Sequence, residues 1–285
     1  MNAYIFPVLN GLGLGMIYFL MAVGLSILFG LLNFVNFAHG AFFLVGAYLC
    51  YQVSVLAGSF TVAIILAPLA VALLGWALNK FLLNRVITMS HSAHILITFG
   101  IMLVLNELVI TIWGPLPQSV QTPAALQGIV QFGDFVYPKY RLFVLVLSSL
   151  IALALYLLIV RTKFGALLRA ASEQGETVSL LGVNVGRLYS IGFALGGWMA
   201  GLGGAMAAPL RGVDPSMGME ALAIAFAVVI VGGLGSFGGA LVGGLFIGLV
   251  QSLMSMLWPE GARLMIYAAV AVLLIVRPNG LFGRA

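Results

Sequence analysis

Residues Ile5 to Gly30 read IFPVLNGLGLGMIYFLMAVGLSILFG, a run without a charged side chain. Crossing the ~30 Å of bilayer hydrocarbon takes ~20 apolar residues in a helix, so this stretch is long enough to span. The first charged residue of the chain is Lys80. The segment ahead of it has room for about three such spans. The N-terminus lacks the basic region of a cleaved signal, so Ile5 to Gly30 reads as a retained span.

The rest of the chain has the same character. It has 285 residues, 63% hydrophobic and 7% charged, with a mean hydropathy of +1.19. Soluble domains carry roughly 25% charged residues. A β-barrel would show alternating segments of ~10 residues, and none are present. The fold expected is an all-α polytopic membrane protein forming one transmembrane domain over 1–285. The single Cys50 cannot form an intrachain disulfide, and no cysteine cluster suggests a metal site. The net charge of +5 is too scattered for a nucleic-acid footprint and reports orientation instead.

Apolar windows place spans at roughly 5–30, 38–57, 60–80, 95–113, 142–160, 189–209, 219–234, 239–258 and 264–276. The seventh is short between Glu220 and Gly235. It is either a crossing or a broken, re-entrant segment shielded by protein, which gives nine spans or eight. With the N-terminus outside, the inner segments hold Lys80, Arg85, Arg161, Lys163, Arg169, Arg187, Arg277 and Arg284. The outer loops hold Lys139, Arg141, Arg211 and Arg263. The excess of basic residues inside favours this orientation, with a cytoplasmic C-terminus.

The chain has 36 glycines, many at small-xxx-small spacing: Gly11/Gly15, Gly197/Gly201, Gly239/Gly243, Gly244/Gly248. Helices in lipid associate through close packing, which small residues permit. Gly233 to Gly238 matches G-x-G-x-x-G, but it lies between apolar spans rather than in a βαβ unit. No phosphate-binding G-x-x-x-x-G-K-[ST] loop exists, so any ATP chemistry belongs to another polypeptide.

Polar residues inside the apolar runs are candidates for a translocation path. Asn33, Asn36 and His39 are three apart and would share a helix face. They either line a polar path or hold a sharp turn through interhelical hydrogen bonds. Asn106 and Glu107 fall within the fourth span, and an intramembrane carboxylate is costly. Glu107 either lines the path or bonds a neighbouring helix; Gln251 is a weaker candidate of the same kind. His91 and His94 read as interfacial, with Ser90 or Ser92 capping their helix. The outer loop 114–140, stiffened by Pro115, Pro117, Pro123 and Pro138, is long enough to be a docking surface or a lid.

The longest polar interruption is Arg161 to Arg187, RTKFGALLRAASEQGETVSLLGVNVGR. Arg161 to Arg169 reads as a basic continuation of the fifth span. Glu176 to Leu181 can form a short helix with acids near its start and Gly182 as its terminal cap. Val178, Leu180 and Leu181 are apolar on a small element beside water. They fit either a partner's groove or the lipid surface.

The loop 161–188 resembles the cytoplasmic loop of ABC importer permeases, in which an acidic-alanine stretch precedes a glycine, here through Ala170-Ala171-Ser172-Glu173. Further blocks resemble the branched-chain amino-acid permease family of LivH type. They are Gly24-Leu25-Ser26 through His39-Gly40, Thr98-Phe99-Gly100 with Asn106-Glu107-Leu108, and Leu180 to Arg187. Gly232 to Ser236 and the tail Arg277 to Gly283 complete the set, in family order along nearly the whole chain.

The resemblance implies the permease subunit of an ATP-driven, binding-protein-dependent importer, not itself an enzyme. It would take up branched-chain or other amino acids, or related amides, urea or aromatic acids, in a bacterial-type inner membrane. The partners implied are a second related permease, two ATPase subunits and a soluble binding protein docking on outer loops including 114–140, all around a lipid-embedded core. ATP and magnesium would sit on the ATPase, with no cofactor in this chain. The ATPase contact would comprise Glu173, Glu176, Thr177, Val178, Leu180, Leu181 and Gly182. The competing reading is a stand-alone secondary transporter or channel for a small polar solute. It is weakened by the scarcity of intramembrane ionisable groups, Glu107 being the sole candidate.

Overall fold

The computed structural model describes residues 4–32, 35–86, 89–132 and 135–282. Asn33 and Arg284, both invoked above, lie outside the described residues. Ten helices make up the body: α1 Ile5–Leu32, α2 Ala38–Ala57, α3 Phe60–Leu78, α4 His91–Trp113, α5 Lys139–Arg161, α6 Lys163–Leu180, α7 Val185–Arg211, α8 Met217–Gly232, α9 Phe237–Leu257 and α10 Ala262–Val276. A π-helical turn, Asn79–Leu83, and Asn84–Val86 prolong α3. The strands β1 Ile129–Phe132 and β2 Phe135–Pro138 pair antiparallel as a hairpin ahead of α5.

The polar breaks read from the sequence are where helices begin. Ser59, Ser90, Asn184 and Ser236 each accept a hydrogen bond from the backbone N–H three residues on, at the starts of α3, α4, α7 and α9. Ser90, rather than Ser92, caps α4.

Eight of the helical segments are long and apolar enough to span, and α8 is a shorter apolar helix. The centre is formed by α1 and α7, each with 78% of its apolar window buried. Backbone contact through glycine holds both in place. A Cβ added at Gly15 would lie 2.8 Å from the Gly244 carbonyl and the Leu245 Cα, and one at Gly11 would lie 2.9 Å from the Leu249 Cα. Gly244 and Gly248 press back on Gly15 and Gly11, and these four glycines zip α1 against α9, antiparallel. On α7, Gly197 abuts the Val71 carbonyl and Gly201 the Val71 side chain, while Gly75 of α3 meets the Phe193 carbonyl. Gly46 of α2 lies directly against Gly201.

The short α8 has 16 residues, ~24 Å of helix. It runs antiparallel to α9, with Val228 against Gly243 and Gly232 against Gly239. One end carries Glu220, bonded to Arg211 where α7 stops and to Arg263 where α10 begins. The other end receives the C-terminal tail: Leu281 N–H donates to the Val231 carbonyl (2.8 Å) and Phe282 N–H to that of Gly232 (3.0 Å). The helix therefore joins the two ends of the bundle. Its length needs no match to the bilayer, because most of its residues are buried against other helices.

The seam predicts a contrast. Gly15→Leu forces a branched side chain into the Gly244 backbone and is expected to cost about 1–3 kcal/mol. Gly100→Ala, where an added Cβ meets nothing within 4 Å, is expected to leave the thermal midpoint unchanged or raised. Equal losses in detergent-solubilised melts of the two variants would remove the glycine seam as the determinant.

Candidate functional site

One end of the bundle presents α6, its most solvated helix. The chain does not run on from α5 as a basic extension. It breaks at Thr162, whose hydroxyl accepts from Gly165 N–H (3.2 Å) and starts a new helix. Gly165 is required there, because its backbone lies against the Ile159 carbonyl. Arg169 turns back to donate to that same carbonyl. The expected short helix at 176–181 forms as the piece beyond a break at Gln174 (φ −145°, ψ 68°), and α6, Lys163–Leu180, comprises this piece and the helix before it. A helix end at Gly182 does form: its φ is +84°, and Val183 N–H reaches back to the Val178 carbonyl (3.4 Å).

The two faces of α6 differ. Leu168, Ala171 and Val178 are buried with Leu188 of α7, and Ile27 and Tyr189 pack around them. Val178, expected among the contact residues, instead anchors the element. Leu180 and Leu181 stand 86% and 78% exposed at its tip, beside the exposed Gly182. Glu173, Glu176 and Thr177 are also exposed. A cleft of about 590 Å³ opens behind the helix, lined by Arg169, Glu173, Gly30, Gly235 and Asn279. Any tilt of α6 therefore reshapes the space at the ends of α1 and α9 and beside the tail.

The polar residues expected to line a path divide into three groups. Asn36 and His39 do not share a helix face, because Asn36 precedes α2. Its Oδ1 accepts from Ala38 N–H (3.1 Å) and both residues are fully buried. The His39 Nε2 lies 2.8 Å from the Met21 carbonyl; a carbonyl only accepts, so Nε2 carries the proton. This geometry ties α2 to α1. Among the described residues the Asn36 Nδ2 and the His39 Nδ1, both buried, have no hydrogen-bond partner. Gln251 accepts a hydrogen bond from the Tyr18 hydroxyl, across the α1–α9 seam. Asn106 is half-buried and Glu107 is exposed on α4, away from the rest of the chain.

The opposite end holds residues that sequence reading did not connect. Glu220 bonds Arg211 (2.6 Å) and Arg263 (3.1 Å), and Asp214 lies 3.7 Å from Arg211. This group clips α7, α8 and α10 together. The signal available was charge in otherwise apolar sequence, with opposite signs at the ends of three helices. The loop 114–140 is not a free strap. Gln118 and Val213 exchange two backbone hydrogen bonds of 2.8 Å, and the Tyr51 hydroxyl donates to Gln118 Oε1. Its C-terminal part is the β1–β2 hairpin, where burial raises the Tyr137 phenol above its ordinary pKa against the opposing field of Arg141. Among the described residues no group of three or more His, Cys, Asp or Glu is placed to hold a metal ion.

Residues 8–276 match the family described as branched-chain amino acid transport system / permease component. The chain is 27% identical to the high-affinity branched-chain amino acid transport system permease protein LivH of Escherichia coli, over 96% of this chain and 94% of that one. It is 25% identical to the corresponding permease protein BraD of Pseudomonas aeruginosa, over 99% and 96%. Its fold is similar to that of a chain in the solved structure of PsaBC from Streptococcus pneumoniae in complex with Fab. The TM-score is 0.51 and the identity 13%, with 94% of this chain and 89% of that one covered.

The two faces of α6 predict opposite responses. Val178→Asp buries an unpaired charge and is expected to cost about 2–4 kcal/mol, with loss of amide protection along 163–180. Leu180→Asp is expected to stay within about 0.5 kcal/mol of the parent. Hydrogen exchange on the purified chain measures both; a Leu180→Asp loss as large as that of Val178→Asp would contradict the anchored-helix geometry.

Proposed function

The chain belongs to the branched-chain amino acid transport permease family, and from this we propose that it forms the membrane path of an importer fuelled from its α6 end. It is a permease subunit, not an enzyme, and ATP hydrolysis belongs to a separate subunit. Its substrates are branched-chain or other amino acids, or related small polar solutes such as amides, urea or aromatic acids. The complete assembly has a second, related permease, two ATPase subunits holding ATP and magnesium, and a soluble binding protein.

The observation that carries this reading is the tip of α6. Two adjacent leucines stand almost fully exposed on a helix whose opposite face is fixed to α7 and α1. Exposed apolar side chains on a rigid polar element fit a groove in a protein partner. Closure of the ATPase pair around Leu180, Leu181 and Gly182 would push α6 as a lever, with Glu173, Glu176 and Thr177 at the rim of the contact. The Gln174 kink and the cleft behind the helix leave room for that motion.

Sidedness supports the same arrangement. Lys80, Arg85, Arg161, Lys163, Arg169, Arg187 and Arg277 gather at the α6 end, and Lys139, Arg141, Arg211 and Arg263 at the hairpin end. The basic excess favours a cytoplasmic α6 end, and with it an outside N-terminus and an inside C-terminus in a bacterial inner membrane. The hairpin end then faces the binding protein. Asn36 and His39, buried between helices, act in the hinge of α2 on α1 rather than as path lining. Gln251, Asn106 and Glu107 remain as the path candidates.

The double substitution Leu180→Asp/Leu181→Asp tests the reading. The variant is expected to insert and fold like the parent, yet to lose at least tenfold of its ATPase association in mild detergent and to abolish ATP-driven uptake. Parent-level uptake by the folded variant would overturn the assignment of this tip as the ATPase contact.

A further inference from the structure

The cleft behind α6 continues into a second chamber. The cleft of about 590 Å³ and this inner chamber of about 370 Å³ share Gly30, Arg169, Ser172 and Gly235. Val23 and Ile27 of α1, Ile159 of α5, Leu168 of α6 and Phe237 of α9 give the inner chamber apolar walls. The outer cleft carries Arg169, Ser172, Glu173, Ser236 and Asn279. Small-ligand pockets have these volumes and this make-up, apolar walls with a few convergent polar groups.

Two features point to an occupant. Ser26 is 2% exposed and borders the inner chamber, yet its hydroxyl has no hydrogen-bond partner among the described residues. A helical serine can satisfy itself on the carbonyl one turn back, as Ser148 does on that of Val144 (2.6 Å). Ser26 does not, and a buried hydroxyl left unpaired is costly until something pairs with it. Gly30 is the second feature. On the same helix Gly11, Gly15 and Gly24 each press on another backbone, whereas a Cβ added at Gly30 meets nothing within 4 Å. Here the missing side chain leaves space where the two cavities join.

Charge selects the head of the ligand. Arg169 donates to the Ile159 carbonyl, and a guanidinium has five N–H donors in a fork that suits a carboxylate. Glu173, one turn further along α6, brings the opposite sign to the same cleft. Both signs over an apolar chamber are the complement of a zwitterion with an aliphatic side chain.

We propose that this double cavity binds an aliphatic amino acid from the cytoplasmic side, and that its occupancy holds α6 in place and slows import as product accumulates. The carboxylate lies on Arg169, and the side chain enters the chamber past Gly30 towards Ser26. The bound molecule then bridges α6 to α1 and α9. A ligand that fits one placement of α6 shifts the protein towards that placement, against the lever motion. The proposal rests on the importer reading for its ligand class and for the role of α6, and adds a regulatory site to it.

The test uses the membrane complex without its binding protein, in nanodiscs of phosphatidylglycerol. Ser172→Cys places a thiol at the exposed part of the cavity, while the native Cys50 is buried. Saturating L-leucine is expected to slow maleimide labelling of this thiol at least severalfold. L-Glutamate is expected to leave the rate unchanged, since its second carboxylate would enter the apolar chamber. Protection is expected to vanish in Arg169→Gln and in Gly30→Leu, which fills the shared space while keeping the parent's thermal midpoint. In proteoliposomes, L-leucine preloaded on the α6 side is expected to slow ATP-driven uptake severalfold in the parent and not in Arg169→Gln. Unchanged labelling at every L-leucine concentration, with uptake still driven by ATP, would overturn the site and leave the importer reading standing. Protection that needs phosphatidylethanolamine and not L-leucine would give the cavity to a lipid and overturn the proposal. Protection without any slowing of uptake would overturn the regulatory role. Protection by L-leucine in a complex whose uptake needs no ATP would support the site and remove the importer reading instead.

Discussion

Glycine backbone pressed against backbone sets the spacing on which the rest of the molecule depends. Between α1 and α9 the contact at Gly11, Gly15, Gly244 and Gly248 leaves no space for a side chain. Lipid offers no hydrophobic drive for helices to associate, so close packing must supply it. That approach places α1 at the centre with α7, and it is what shelters α8. A helix of 16 residues would be too short for a bilayer on its own. Held between α9, α1 and α2, it serves as an internal strut whose ends are a charged clip and a backbone-paired tail.

The strut links the two ends of the molecule physically. At one end Glu220 ties it to α7 and α10, and the neighbouring Val213 is bridged to the loop 114–140 through Gln118. At the other, Val231 and Gly232 hold the tail, which borders the cleft behind α6. A displacement at either end acts on the same rigid helix. This is the arrangement a machine needs if an event on one membrane face is to be felt at the other, without any wire of polar residues through the bilayer.

Much of the architecture is legible in sequence. Apolar runs of membrane length locate the spans, since nothing else accommodates such stretches, and small-xxx-small spacing anticipates the glycine seam. Gly182 is readable as a helix end because a positive φ there favours glycine. What escapes is whatever depends on distance in space. Ser172 to Gly175 weakens local helix propensity, so α6 reads as two pieces, and the backbone does break at Gln174; what escapes is that both pieces pack on Leu188 of α7, through Leu168 and Ala171 before the break and Val178 after it. Val178 reads as a contact residue beside Leu180, yet one turn geometry buries the former and exposes the latter. Asn36 and His39 suggest a shared helical face, and only the start of α2 between them breaks it. Arg211, Glu220 and Arg263 come from three helices and meet only in the fold. The direction in which Glu107 points is fixed by which face of α4 binds α2, a choice that an apolar helix with no strong periodicity does not display.

Uptake into proteoliposomes holding the complete complex shows what drives substrate through this chain. With all ion gradients collapsed, substrate accumulation is expected to require ATP on the side of α6 and the binding protein on the side of the β1–β2 hairpin. Accumulation that proceeds without ATP and stops when an ion gradient is dissipated would contradict ATP-driven import.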